Sequence, residues 1–276
     1  GIQGMRVRLI ATDLDGTLLD NKKQVSVRNR EALRRASGKG ILYVPATGRI
    51  FDAIPEAVRD FPFLRYAITV NGSGVYDRQQ EKMLFKAEIP RDQAVAMCRF
   101  MRQYETLYDC YIDGRGYMEQ RYYEQIDLYF AEVVRPLVRE TRTQVQDLVE
   151  CIRERGDVQK LQMLFRDMDL RARVLRELPA AFPNTLSTSS VSNNIEINIR
   201  EANKGDALTR LCGYLGIDMS ETLVFGDGGN DVTMLRAAGI GVAMGNACGE
   251  ARAAADRLTL TNEEDGVADF LEKYVL

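Results

Sequence analysis

The chain reads as an α/β protein, a Rossmann-like, doubly wound parallel sheet interrupted by an inserted α+β segment. Three observations predict this. At both ends of the 276 residues, short apolar, β-branched runs alternate with helical stretches, the rhythm of parallel strands joined by crossover helices. Between about Pro90 and Ser190 the order becomes helix, strand pair, helix, helix, strand, helix, strand. Composition shifts there too, because 7 of the 12 tyrosines fall between Tyr104 and Tyr129. The length suits about two ordinary domains. The expected division is a core of residues 1–82 and 190–276 with an insert of residues 83–189.

The first strand is Val7 to Thr12, ending in Asp13. Gly1 to Gly4, ahead of Met5, read as a cloning remnant and are left out of the fold prediction. After a loop through Gly16, Ser26 caps a helix to about Ser37, with Val27, Leu33 and Ala36 as its apolar stripe and Gly38 and Gly40 as its stop. Ile41 to Val44 is a second strand, ending at Thr47-Gly48-Arg49. A helix from about Ile50 to Asp60 leads to a third, Ala67 to Val70. Asn71-Gly72-Ser73-Gly74 reads as a turn before hairpin strands at Val75-Tyr76 and Met83 to Phe85. Past the insert, the core rhythm resumes with a strand at Ile195 to Ile199 and a helix from Lys204. A strand at Leu223 to Gly226, a helix from Asn230, a strand at Gly241 to Ala243 and a helix from Gly266 complete it.

Composition removes several classes of function. The chain has no histidine, which excludes Ser-His-Asp hydrolases, histidine phosphatases and His-ligated zinc or haem sites. A net charge of −3 offers no basic field for nucleic acid. No apolar run approaches the ~18 residues that a membrane helix needs, and no signal pattern opens the chain. Five cysteines, none in a CxxC, read as reduced, packed thiols of a cytoplasmic protein. Tyrosines of the insert read as half-buried sheet positions, and Arg135, Arg139, Arg142, Arg153 and Arg155 as a solvated helix face.

Four segments carry chemistry. Asp13-Leu14-Asp15-Gly16-Thr17 ends the first strand, at the sheet edge where ligands of α/β proteins bind. Two carboxylates two residues apart can divide the work of nucleophile and of proton donor and acceptor. Thr47-Gly48-Arg49 ends the second strand, where a hydroxyl and a backbone N–H suit a phosphate cradle or a helix cap. Lys204 opens a helix in a chain with 8 Lys against 29 Arg, and its compact ammonium suits a phosphoryl oxygen and a nearby carboxylate. Gly226-Asp227-Gly228-Gly229-Asn230-Asp231 adds two carboxylates at the same edge. Four converging carboxylates with no His or thiolate call for a hard divalent cation, Mg²⁺.

These segments resemble the four motifs of the haloacid dehalogenase superfamily, and insertion of the second domain between the second and third motifs resembles its type IIB, Cof-like branch. The resemblance covers about residues 5–82 and 190–276. Glu201-Ala202-Asn203 departs from the more usual Gly-Val-Ser or Gly-Val-Asn. The resemblance implies that Asp13 is the nucleophile that forms an aspartyl-phosphate and that Asp15 is the general acid and base. It implies Mg²⁺ held by Asp13, the Asp15 backbone carbonyl and Asp227 and oriented by Asp231. Thr47, Gly48, Arg49, Lys204 and Asn230 would bind the phosphoryl group. The insert would be a cap that limits substrates to small molecules such as sugar phosphates.

The expected activity is therefore a Mg²⁺-dependent phosphatase acting on small phosphorylated metabolites, as a monomer or weak homo-oligomer. A phosphomutase of the phosphomannomutase type shares the chemistry. A non-catalytic phosphometabolite sensor would need neither Asp13 nor Asp15.

Overall fold

In the computed structural model, which describes residues 2–276, the strands are β1 (Leu9–Thr12), β2 (Leu42–Pro45), β3 (Tyr66–Thr69), β4 (Gly74–Asp77), β5 (Lys82–Lys86), β6 (Leu107–Ile112), β7 (Arg115–Glu119), β8 (Arg142–Val145), β9 (Lys160–Leu164), β10 (Thr185–Thr188), β11 (Asn194–Ile199), β12 (Thr222–Gly226), β13 (Ile240–Ala243) and β14 (Arg257–Leu258). The chain forms two compact units, residues 1–86 with 203–276 and residues 87–202.

The first unit is built on a parallel sheet of order β14-β13-β12-β1-β2. β1 and β12 lie at its centre and are buried throughout, which is why they read as unbroken apolar runs. Alternate residues serve opposite faces. Ile10, Tyr43, Leu223 and Phe225 pack with Leu33, Val267 and Leu271 of the helices Val27–Gly38 and Gly266–Tyr274 on one side. Leu9, Ala11, Val44 and Val224 pack with Leu208, Leu211 and Met234 on the other. Ser26 caps the first of these helices, accepting from the Asn29 N–H at 3.0 Å. β3 meets the end of β2 through one parallel bridge, Ala46 to Ile68, and then carries an antiparallel β3-β4-β5 sheet.

The second unit is a six-stranded sheet of order β10-β11-β9-β6-β7-β8, antiparallel except for β7 with β8. Tyr108, Cys110, Leu161, Met163, Ile195 and Ile197 form its apolar face, packed with residues such as Cys98, Ile152 and Leu178 from three helices. The opposite register positions hold Asp109, Tyr111, Lys160, Gln162, Glu196 and Asn198.

Several expectations need correcting. The core does not resume at residue 190, because Ile195–Ile199 is part of β11, which pairs with β9 and β10 in the second unit. Its alternation of Asn194, Glu196 and Asn198 with isoleucines suits a half-apolar antiparallel strand rather than a doubly buried parallel one. β5 stays with the first unit because it pairs with β4. The helix expected over Ile50 to Asp60 is a single turn, Phe51–Ala53, followed by Glu56–Arg59, since Pro55 has no N–H to continue the ladder. Ile2, set aside as a remnant, is buried in the core. All five cysteines are free, but Cys248 is exposed rather than packed. Arg142 is not on a solvated face: its side chain is 7% exposed and meets Asp109 at 2.8 Å. No helix among the described residues is long and apolar enough to cross a membrane.

Candidate active site

The C-terminal ends of β1 and β12 bring together residues more than two hundred positions apart. The Asp13 N–H donates to the Phe225 carbonyl at 3.0 Å, so the loops leaving both strands start side by side. Gly16 then lies against Asp227. With φ of +75° it is in the left-handed region, and a Cβ there would fall 2.1 Å from Asp227 Oδ2. Glycine is required by both the turn and the close approach. Thr17 Oγ1 donates to Asp227 Oδ1 at 2.9 Å, a contact that ties the first motif to the last.

Asp13, Asp227 and Asp231 each present a carboxylate oxygen within 4.8 Å of the others. Lys204, completely buried, places Nζ 3.1 Å from Asp13 Oδ2 and 2.8 Å from Asp231 Oδ1. Asn203 caps its helix by accepting from the Asp206 N–H at 2.8 Å, which fixes the residue that precedes the lysine. Asp231 Oδ2 accepts from the N–H groups of Asp227 and Gly228 at 2.9 and 3.1 Å. Asp231 is thus the scaffold of this group, held by the backbone on one oxygen and by Lys204 on the other.

The charges here do not balance. Three carboxylates share one ammonium, leaving two negative charges if all are ionised. Burial first, then the Asp231 charge, pushes the Asp13 carboxyl well above its usual range, with Lys204 pulling the other way and Asp227 adding to the rise. Asp227 is pushed up to about 7 by burial and Asp231, against the Thr17 hydrogen bond and Lys204. Burial by itself would discharge Lys204, yet Asp13 and Asp231 outweigh it and hold the ammonium above its ordinary pKa. Three carboxylates that outnumber the cation beside them are hard oxygen donors of the kind that could hold a divalent ion such as Mg²⁺.

Asp15 is placed differently. Arg49 grips it with Nε 2.8 Å from Oδ2 and Nη2 2.7 Å from Oδ1, and Lys23 Nζ lies 3.0 Å from Oδ1. Burial acts to raise this carboxyl, but the hydrogen bonds and charge of Arg49, followed by Lys23, hold it well below the usual carboxylate range. Arg49, expected among the phosphoryl ligands, is therefore committed to Asp15 and to the Ala53 carbonyl at 2.8 Å. Thr47 is completely buried, and its Oγ1 accepts from the Arg49 N–H at 3.0 Å, which shapes the turn carrying Gly48. Asn230 is buried beside Asp231.

Thr17, Lys23 and Asn71 carry contacts at the site that local sequence pattern does not assign. Thr17 lay inside the first motif and Lys23 in an ordinary polar loop. Asn71 had one signal, its place at the C-terminal end of the third strand.

A parallel α/β sheet with carboxylates and a buried lysine converging at one edge suits an enzyme that works on a charged centre. Residues 10–271 match the haloacid dehalogenase-like hydrolases, and the chain belongs to that family. It is 30% identical to the phosphatase YwpJ of Bacillus subtilis, over 96% of this chain and 99% of the relative. It is also 30% identical to the pyridoxal phosphate phosphatase YbhA of Escherichia coli, over 99% of this chain and 100% of the relative. A solved haloacid dehalogenase-like hydrolase from B. subtilis superposes with a TM-score of 0.85 at 31% identity, covering 98% of this chain and 100% of that one. With phosphatases among its relatives, the chain is a phosphoric monoester hydrolase of that family.

Proposed function

We propose that the protein is a Mg²⁺-dependent phosphatase of small phosphorylated metabolites, sugar phosphates foremost, working through an aspartyl-phosphate on Asp13. The observation that carries this reading is the cluster of Asp13, Asp227 and Asp231, with the buried Lys204 paired to the first and last of them. Bound there, Mg²⁺ would be held by Asp13, the Asp15 carbonyl and Asp227, with Asp231 orienting them, and would neutralise charge on the phosphoryl group.

The chain's own residues divide the remaining work. An Asp13 carboxylate oxygen attacks phosphorus as the bond to the leaving alcohol breaks, and Lys204 beside it offsets the negative charge brought together. A proton from Asp15 goes to the leaving oxygen. Asp15 then takes a proton from water as that water attacks phosphorus, breaking the bond to Asp13 and releasing phosphate. Paired with Arg49 and Lys23, Asp15 is poised as the base. To act as the acid it must exchange those cations for the substrate. Replacing Arg49 by Met is expected to raise the Asp15 pKa, so that the limb of the kcat–pH profile owed to this acid moves to higher pH; an unmoved profile removes Arg49 from this role. Thr47, Gly48 and the remaining N–H of the Asn230 amide are left to contact the phosphoryl oxygens. We assign the choice of substrate to the inserted unit.

Phosphate release from sugar phosphates, nucleotides and pyridoxal 5′-phosphate, measured with Mg²⁺ and with EDTA, tests the reading. Release that needs Mg²⁺ and vanishes in Asp13→Asn is expected. Isomerised product without free phosphate would make the protein a mutase, and ligand binding without turnover would make it a sensor.

A further inference from the structure

The loop after β3, which looks like a plain turn in the sequence, is among the most constrained segments of the first unit. Val70, Asn71 and Gly72 have φ of 48°, 59° and 98°. Asparagine and glycine enter this left-handed region readily, whereas a β-branched valine there is a true outlier. The surroundings enforce it. The Val70 N–H donates to the Arg49 carbonyl at 3.0 Å and the Asn71 N–H to the Thr47 carbonyl at 2.9 Å. A Cβ on Gly72 would lie 2.2 Å from the carbonyl oxygen of Asn203, the cap of the Lys204 helix. Segments bearing two of the four motifs thus hold this loop in place, and strain of this kind gathers at functional sites.

The loop presents the Asn71 side chain to the fourth motif. Asn71 Oδ1 accepts from Asn230 Nδ2 at 3.1 Å, and the two residues are 3% and 5% exposed. That bond engages the nitrogen end of the Asn230 amide. The other end, Oδ1, is buried without a hydrogen-bond partner. A buried carbonyl oxygen lacking a donor is costly, so this atom is matched to a donor that arrives with a ligand.

We propose that Asn71 is a positioning residue, holding the Asn230 amide with its nitrogen toward the loop and its Oδ1 free to accept from a substrate hydroxyl or a bound water. This rests on the phosphatase reading of the site. Asparagine fits the position because it combines left-handed backbone with an acceptor. Glycine would supply only the backbone and alanine neither.

Asn71→Gly therefore removes the acceptor while leaving the backbone at ease. It is expected to stay folded, melting somewhat lower because Asn230 Nδ2 loses its acceptor, and to lose kcat by roughly 10–100-fold, the usual effect of removing a residue that orients a ligand-binding group. In an Asn230→Ala background the same change should cost kcat little further, since Asn71 acts on the site through Asn230. Full turnover in Asn71→Gly, or losses that multiply in the double variant, would overturn the proposal. If the wild type releases no phosphate at all, the phosphatase reading fails and the amide pair is judged by ¹⁵N NMR. The Asn230 side-chain NH₂ signals, identified by their loss in Asn230→Ala, should shift and exchange faster in Asn71→Gly. Unchanged signals would overturn the pairing.

Discussion

Both units bury charge, and they do so to opposite ends. In the inserted unit, Arg142 meets Asp109 at 2.8 Å and Lys160 meets Glu196 at 3.5 Å. Both cations also lie over the Tyr111 ring, with Arg142 Cζ 4.9 Å and Lys160 Nζ 4.5 Å from its centroid. Gln162 adds a hydrogen bond to Asp109 at 3.3 Å. Each anion there has its own cation. In the first unit, Asp13, Asp227 and Asp231 have Lys204 as their one cation, and burial followed by the Asp231 charge pushes the Asp13 and Asp227 carboxyls up. Burial is common to both places, so burial does not mark a site. The mark is the unbalanced negative charge, which destabilises the free protein and becomes favourable only when a cation completes it.

The sharpest way to break this comparison is to remove a charge from each place. Asp13→Asn is expected to cost roughly 10⁴-fold or more in phosphate release, as loss of a nucleophile does, while the metal-free protein melts higher because repulsion is relieved. A lower melting temperature for metal-free Asp13→Asn would mean that the carboxylates are not in surplus. Arg142→Met should do the reverse. It leaves Asp109 buried without its cation, a change that costs about 3–5 kcal/mol, and denaturant unfolding should report it. Replacing both residues, as Asp109→Leu with Arg142→Met, should recover most of that loss.

A smaller effect follows from pH. Asp227 has a carboxyl raised from 3.8 to about 7 in the folded chain, so across that window the folded state holds a proton that the unfolded state has released. Its contribution to metal-free stability therefore falls as pH rises toward 7 and is level above it. Mg²⁺ must displace the same proton, so its affinity should climb over the same range. Calorimetric titration at several pH values checks this, and an affinity independent of pH between 5 and 7 would count against the surplus. Smallest is Thr17→Val, which removes one hydrogen bond to Asp227 worth about 1 kcal/mol. The expected result is a several-fold weaker Mg²⁺ affinity at neutral pH with the fold intact.

Much of the site was legible before the fold was known. Asp13, Asp15, Lys204, Asp227 and Asp231 stood in short segments at strand or helix ends, and a chain without histidine had few other means of phosphoryl chemistry. Arg49 was found but its use was not, because a guanidinium suits a carboxylate as well as a phosphate. Lys23 and Asn71 were missed because each matters through its partner, Asp15 across the intervening turn for one and the distant Asn230 for the other, while its own surroundings are those of a loop. Arg142 and the strand Asn194–Ile199 were placed by local pattern, which records the faces of an element and not the sheet that receives it.

By itself, the sequence determined the chemistry and the class of fold: which groups can carry charge and protons, and the alternation of buried strands with helices. These follow from residue type and from periods of two and 3.6 along one chain. Tertiary structure decided what each charge faces. It set Asp15 against Arg49, three carboxylates against one lysine, and Asn71 against Asn230. Partnership of this kind depends on which strand lies beside which, and chain closure over one or two hundred residues leaves little trace in local pattern. The same closure is what lets a few uncompensated charges persist in an otherwise well-packed molecule.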